Sequence, residues 1–373
     1  MRRIILLNPY ATGSHAQWAR GMVRECPLAA QRAGESAEFE SYGLPGRHWK
    51  WRMSASALAL VDQLHKAGAF ERGIDRFIVT DMMDVGQFRS ALPPSFRQVP
   101  IVLYFHENQL TFPEHIERPK EEWDRHYAFM NVSSALLADQ VWFNSEYHRS
   151  VFLSAIPDFM SAFPSPRPRD VVEKIRAKST VMPIGIEQDV LECGSSPEQR
   201  PRIYGEGPPV VAWNHRWEYD KGPGDFLNAM KVAKAAGLPF RLVMLGQRFD
   251  RVPAAFDEIR AEFEDRILQW GHAESRSEYV RALGSCDIAL VTAHHDFFGL
   301  SVLEAAAVGL DMVVPDGLAY PEHFGSEGLI SREDLPKAFC AALRREHVNW
   351  STRVVHYSWR AVSDKVWMQL FHP

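Results

Sequence analysis

Short apolar runs rich in Val, Ile, Leu and Phe recur along this chain, and between them lie segments whose apolar residues repeat with a helical period. Runs of that kind, apolar on both faces, are strands buried inside a parallel sheet, and the intervening periods are the helices that cover it. In the first half "RIILLN", "RFIVTD", "IVLYFH", "QVWFN" and "STVMPI" read as strands, with "AQWARGMVREC" and "YAFMNVSSALLA" among the helices. In the second half the strands are "PVVAWN", "FRLVMLG", "RILQWG", "DIALVTA" and "DMVVP". The class is therefore α/β. The stretch "EQDVLECGSSPEQRPRIYGEGPP" separates the halves and is dense in Gly, Pro, Ser and charge, as an interdomain linker is. The expected organisation is a domain over 1–186, a linker over 187–208, a second domain over 209–355, and a C-terminal helix over 356–373 that packs back on the first domain.

A length of 373 residues, 46% hydrophobic and 24% charged, is enough for two cores of similar size. Cys26, Cys193, Cys286 and Cys340 are far apart and show neither a disulfide framework nor zinc-ligand spacing, which fits a reducing cytoplasm. The apolar run after the N-terminal "MRR" is too short for a signal peptide, and no stretch approaches the length of a membrane span, so no stable membrane insertion is expected. The formal charge of −5 is uneven: residues 1–186 hold 22 Lys and Arg against 20 Asp and Glu, whereas the remainder holds 20 against 27. A polyanion would dock on the first half.

Ligands of such sheets bind beyond the carboxyl ends of the strands, so chemistry is sought in the loops that follow them. One such loop, "HHDFFGLSVLEA" at 294–305, sets Asp296 eight residues ahead of Glu304. Gly299 and the helical period after it place a helix start near Phe298 to Leu300, with Phe297 just before, and unpaired amides there favour an anion. Asp296 and Glu304 could accept from sugar hydroxyls; equally, they could be a helix cap and a solvated side chain. A second loop, "WNHRWEYDKGPGDF" at 213–226, carries Arg216 and Lys221, two cations suited to a diphosphate and to charge on a departing nucleotide, or else paired with Glu218 and Asp220. Gln269 and Trp270, ahead of a capping box from Ser275 to Glu278, could read or stack a nucleobase, or Trp270 could be core. Three adjacent residues, His294, His295 and Asp296, point in different directions on an extended loop, and there is no Asp-x-Asp pair, so no metal is expected.

In the first half Gly13 and Ser14 are read as ending the first strand and opening space for a donor, with His15 next. His106, Glu107 and Asn108 end "IVLYF", and His106 could bond a transferring sugar or be a satisfied structural histidine. Ser145 is read as a helix cap. The segment "PSPRPRDVVEKIRAKS" at 164–179 carries Arg167, Arg169, Lys174, Arg176 and Lys178 against Asp170 and Glu173, and it could contact nucleic-acid phosphates or be a solvated face. "HWKWRM" interleaves Trp49 and Trp51 with Lys50 and Arg52, which suits stacking and phosphate contact by a flexible loop of RNA; alternate tryptophans could equally be the buried face of a strand.

The second half resembles the retaining glycosyltransferases of family 4, which have the GT-B fold: two Rossmann-like domains whose parallel sheets face an interdomain crevice. That resemblance implies that the acidic pair binds the donor sugar and the ribose, and that Arg216 and Lys221 hold the diphosphate. Asp296 stands where the family has glutamate. With "GSHAQW", "HWKWR", "LYFHENQL", "WFNSEYHRSVFL" and "PSPRPRD", the whole chain is similar to the tRNA-queuosine mannosyltransferase family. This implies GDP-mannose as donor and the cyclopentenediol of queuosine, in the anticodon of an aspartate tRNA, as acceptor. The expected reaction retains configuration, uses no protein nucleophile and requires no cofactor, with His106, Arg216, Lys221 and Asp296 at the reacting centre. His15, Trp49–Arg52, Glu107, Asn108, Arg167, Arg169 and Lys174 are expected on the acceptor. The alternatives are a family 4 enzyme with a lipid or polysaccharide acceptor, and a non-catalytic tRNA-binding relative.

Overall fold

The computed structural model describes residues 1–113, 125–195, 203, 205, 207–248 and 252–372. They form two compact units, Met1–Gly185 with Trp359–Pro373, and Ile186–Ser358.

The first unit is a six-stranded parallel sheet of β1 (Arg2–Asn8), β2 (Ala37–Gly43), β3 (Arg76–Thr80), β4 (Ile101–Phe105), β5 (Gln140–Phe143) and β6 (Ser179–Val181), in the order β2-β1-β3-β4-β5-β6. Ile4 to Leu7, Phe77 to Val79 and Ile101 to Phe105 are buried on both faces, which explains why these strands read as continuous apolar runs. Edge strand β2 does not, because in "AEFESYG" only Phe39 is buried. The connecting helices are α1 (Gly13–Arg32), α2 (Trp49–Lys66), α3 (Val85–Ala91), α4 (Arg125–Leu137), α5 (Glu146–Ser161) and α6 (Val171–Arg176). They pack Leu60, Phe88, Phe152 and Ile156 against Phe77, Phe105 and Phe143.

Of the stretch 187–208 expected as linker, α7 (Gln188–Ser195) is helical, and residues 196–202, 204 and 206 lie outside the described residues. The second unit has β7 (Val210–Asn214), β8 (Arg241–Leu245), β9 (Ile267–Gly271), β10 (Ile288–Leu290) and β11 (Asp311–Val313) in the order β11-β10-β7-β8-β9, again all parallel. Its helices are α8 (Pro223–Ala235), α9 (Ala255–Glu262), α10 (Arg276–Gly284), α11 (Leu300–Ala307), α12 (Tyr320–Phe324) and α13 (Leu335–Ala342). Strand order reverses between β1 and β3 in one sheet and between β7 and β10 in the other, and a doubly wound sheet opens its ligand crevice at such a point.

The last helix, α14 (Trp359–Phe371), belongs to the first unit and packs on α1. Its Trp359 indole lies against backbone: a Cβ on Gly21 would sit 2.0 Å from Cζ2, and one on Gly185 2.3 Å from Cδ2. Only glycine permits that approach. Among the described residues no helix is long and apolar enough to cross a membrane, and none of the four cysteines is in a disulfide.

Candidate functional site

The loops after β7 and β10 flank the reversal point of the second sheet, and they carry Arg216, Lys221 and Asp296. The β7 loop is anchored by Trp217, which stacks on Phe256 with centroids 4.4 Å apart. Gly222 (φ +64) closes the loop so near Thr292 that a Cβ would sit 2.1 Å from its carbonyl oxygen. Arg216 points outward, half exposed, with Nη2 3.1 Å from Glu218 Oε2. Lys221 is buried. Its Nζ donates to Asp296 Oδ1 at 2.8 Å and His295 O at 2.7 Å, and lies 3.0 Å from Asp220 Oδ2. In this state Arg216 is paired within its own loop, whereas Lys221 reaches across to the β10 loop, spending two protons on His295 and Asp296 with Asp220 as a further ion-pair neighbour.

Asp296 does not cap the helix that follows it. Its other oxygen, Oδ2, accepts from Tyr320 Oη at 2.6 Å. Burial pushes its pKa up, but the Lys221 ammonium and, less strongly, His215 overcome that, and the carboxyl is held at about 2. The same two carboxylates, Asp296 and Asp220, raise Lys221 against the opposing effect of its burial. Helix α11 starts at Leu300 behind Gly299 (φ +77) with no side-chain cap. Phe297 and Phe298 are 6% and 4% exposed, with their rings packed on His295 and on His323 and Tyr357, so only their backbone can meet a ligand. Glu304, 4% exposed, accepts from Arg276 Nη2 at 2.8 Å and Tyr279 Oη at 2.7 Å, so it is not a solvated side chain. Asn214 Nδ2 in turn donates to Tyr279 Oη and to Ser301 O, and Ser301 Oγ meets His215 Nδ1 at 2.9 Å, which ties the end of β7 to the first turn of α11. Gln269 and Trp270 lie on β9, at the far edge of the sheet, with Trp270 edge-on to Trp217 at 4.7 Å. Ser275 caps α10, accepting from Glu278 N.

In the first unit Gly13 and Ser14 open α1 rather than end a strand, since β1 stops at Asn8. His15, in that first turn, stacks on His106 with centroids 4.1 Å apart. His106 is 7% exposed, and its Nε2 has no hydrogen-bond partner. Burial, with smaller contributions from His15 and His148, holds it well below the usual histidine range, so the ring is neutral. Its backbone N–H donates to Asp81 Oδ1, and its carbonyl accepts from Asn144 Nδ2. Asn131 bridges Asp81 O to Gln109 N, while Asn108 Oδ1 accepts from Thr111 N. Glu107 is half-buried and accepts from Gln109 Nε2.

"HWKWRM" is the start of helix α2, not a strand, and its two tryptophans part company. Trp49 packs with Tyr10, Met53, Met82, Tyr127 and Met130, whereas Trp51 is 64% exposed. Lys50 Nζ lies 5.5 Å from the Trp49 ring, and Arg52 Nε donates to Pro45 O. This turn follows β2, at the carboxyl edge of the sheet with His15 and His106. The basic run of 164–179 ends elsewhere. Arg167 and Arg169 are exposed and Lys174 Nζ donates to Arg169 O, but α6 delivers the chain to the amino end of β6, where Lys178 Nζ donates to Leu136 O and Ala138 O.

Residues 3–186 match the family described as tRNA-queuosine alpha-mannosyltransferase N-terminal, and residues 208–347 match glycosyl transferases group 1. The tRNA-queuosine alpha-mannosyltransferase of Drosophila melanogaster is 28% identical over 328 residues, which is 87% of this chain and 82% of that protein. Among solved structures, a UDP-forming α,α-trehalose-phosphate synthase from Burkholderia xenovorans aligns over 100% of this chain and 99% of its own, with TM-score 0.66 and 15% identity. An E. coli structure described as trehalose-6-phosphate bound with UDP-2-fluoro glucose aligns over 100% and 99%, with TM-score 0.64 and 14% identity. At such identities the likeness establishes the fold alone, that of the GT-B glycosyltransferases.

Proposed function

We propose that this chain is a glycosyltransferase of the tRNA-queuosine alpha-mannosyltransferase kind, whose family model its first half matches, and that it transfers mannose from GDP-mannose, with retention, to the cyclopentenediol of queuosine in the anticodon of an aspartate tRNA. The observation that carries this reading is that Arg216, Lys221 and Asp296 converge from two loops at the reversal point of the second sheet, in a chain whose other half matches the queuosine-specific family.

In this reading the diphosphate takes Arg216 from Glu218 and approaches the amides at the start of α11, Asp296 accepts from a hydroxyl of the donor sugar, and Glu304 accepts from the ribose. The acceptor hydroxyl attacks the anomeric carbon on the face the diphosphate leaves. The bond from that carbon to the phosphate oxygen breaks, and the acceptor proton passes to the departing phosphate, so no protein nucleophile takes part. Positive charge for the leaving group comes from Arg216 and Lys221, which stabilise it more than they stabilise the bound donor. No cofactor enters the reaction in this reading, and a tRNA acceptor with a nucleotide-sugar donor fits a cytoplasmic enzyme. The neutral His106 ring, at the carboxyl edge of the first sheet, has an Nε2 that can bond a sugar hydroxyl.

On the acceptor side, exposed Trp51 with Lys50 and Arg52 offers an aromatic face among cations for an unstacked base of the anticodon loop, while Arg167, Arg169 and Lys174 take phosphates farther along the tRNA. Trp51→Ala is expected to weaken tRNA binding on the order of 5- to 100-fold, the worth of one base–aromatic stack, and Trp51→Phe to recover most of it. Unchanged affinity in Trp51→Ala would move the stacking site elsewhere. The reading as a whole is tested by incubating the protein with queuosine-containing tRNA and a panel of nucleotide sugars and weighing the released nucleosides. Queuosine bearing one hexose is expected with GDP-mannose; its absence with every donor would reject the assignment.

A further inference from the structure

Helix α12 touches the loop Asp296–Gly299 at two points. Tyr320 Oη donates to Asp296 Oδ2 at 2.6 Å, and His323, one helical turn later, meets Phe298 O through Nε2 at 2.6 Å. A carbonyl oxygen can only accept, so Nε2 carries the imidazole proton and Nδ1 presents a lone pair, which takes the proton of Tyr357 Oη at 2.7 Å. Burial keeps the ring in that neutral form, with a pKa of about 4. A third contact is steric: a Cβ on Gly299 would lie 3.0 Å from Tyr320 Cε1, so the tyrosine ring also fixes where the chain turns into α11.

We propose that Tyr320 and His323 are positioning residues for the donor sugar, a clamp from α12 that fixes the Asp296 carboxylate and the backbone behind it. Neither residue can touch a ligand, since Tyr320 is 0% and His323 3% exposed. They act through the loop. With Lys221 on Oδ1 and Tyr320 on Oδ2, the plane of the Asp296 carboxylate is set from both sides, and its remaining lone pairs have fixed directions. A carboxylate so held meets a sugar hydroxyl without losing rotamer freedom on binding. His323 holds the next link, because the Phe298 carbonyl sits two bonds from the Gly299 amide and two residues before α11.

This inference rests on the reading of Asp296 as the residue that contacts the sugar of a nucleotide-sugar donor. Its test compares two ligands on the full chain: GDP-mannose, which carries the sugar, and GDP, which does not. Calorimetric titration of Tyr320→Phe is expected to show GDP affinity within two-fold of the parent and GDP-mannose affinity lower by about ten-fold, with kcat/KM lower by about ten- to a hundred-fold. His323→Leu, which also loosens the Gly299 amide that meets the diphosphate, should lower the affinity for both ligands. His323→Gln, whose amide N–H can occupy the position of Nε2–H, should recover most of it. In Tyr320→Phe, equal losses for GDP and GDP-mannose, or no loss for either, would overturn the clamp while the parent still binds both. A parent chain that binds neither nucleotide would overturn the donor reading, and the clamp with it.

Discussion

Lys221→Ala is expected to destabilise the unit Ile186–Ser358 by about 3–5 kcal/mol, whereas Arg216→Ala leaves its melting within about 1 kcal/mol of the parent and abolishes most of the activity. Sequence spacing makes the two residues look alike, a pair of cations five apart. Their surroundings differ. The Lys221 side chain is 8% exposed, between Asp220 at 2% and Asp296 at 13%, so truncation leaves two carboxylates facing each other in the interior. Removing one partner of a buried pair costs far more than the pair contributes, because the desolvated charge remains. Without the ammonium, burial would push the Asp296 pKa up, and part of the cost would appear as proton uptake. Arg216 and Glu218 are 49% and 29% exposed, and a solvated pair of that kind contributes about 0–1 kcal/mol. Arg216 should matter in the transition state, where losing a charge-stabilising donor lowers kcat on the order of 10²–10³-fold. Calorimetry and steady-state kinetics on the two variants separate these cases. A Lys221→Ala chain that melts with the parent would show that Asp220 and Asp296 are not balanced by this lysine.

Much of the sheet architecture is legible because parallel strands buried on both faces leave continuous apolar runs, as at Ile4 to Leu7 and Val210 to Trp213. β2 is not legible, because an edge strand buries one side chain and its polar alternation resembles a loop. Within the site, Gly299 and the period after it locate the helix start, which falls at Leu300. The composition of "HWKWRM" is informative while its conformation is not: interleaved Trp and cations fit a strand face or a helix start equally well, and only packing on Tyr127 and Met82 separates Trp49 from Trp51. The residues that hold the site in place are the ones sequence does not offer. Tyr320, His323, Arg276 and Tyr279 reach Asp296, Phe298 and Glu304 from 24 to 28 positions away, distances that no local period encodes. Asp81 is a partial exception, since a polar residue ending the apolar run "RFIVTD" marks the carboxyl end of a central strand. There it accepts from the His106 amide.

Acidification from pH 7 to pH 5 should lower the stability of the second unit steeply, at about 3–4 kcal/mol per pH unit near pH 5, through three buried histidines. Burial brings His215, His295 and His323 each to about 4 in the folded chain, against about 6.5 for an exposed imidazole. Each folded-state value is therefore depressed. Between the two values the unfolded chain binds the protons and the folded chain does not, so stability rises with pH across that window and is lost as pH falls through it. At pH 5 the three groups together predict uptake of between two and three protons on unfolding. Asp296 adds nothing there: its folded value of about 2 lies below that of an unfolded aspartate near 3.9, so its contribution disappears only below about pH 4. Glu218, whose carboxyl burial raises, works in the opposite sense and trims the slope at the acid end. Scanning calorimetry in buffers of different ionisation enthalpy measures the proton uptake directly. His323→Gln removes one of the three sites and should lower the uptake by about one proton at pH 5 without changing its sign. A melting temperature that stays flat from pH 7 to pH 5 would mean that these imidazoles take up protons in the folded chain as readily as in the unfolded one. The bond that His323 accepts from Tyr357 would then be lost on acidification, because a protonated His323 has no lone pair left to accept it.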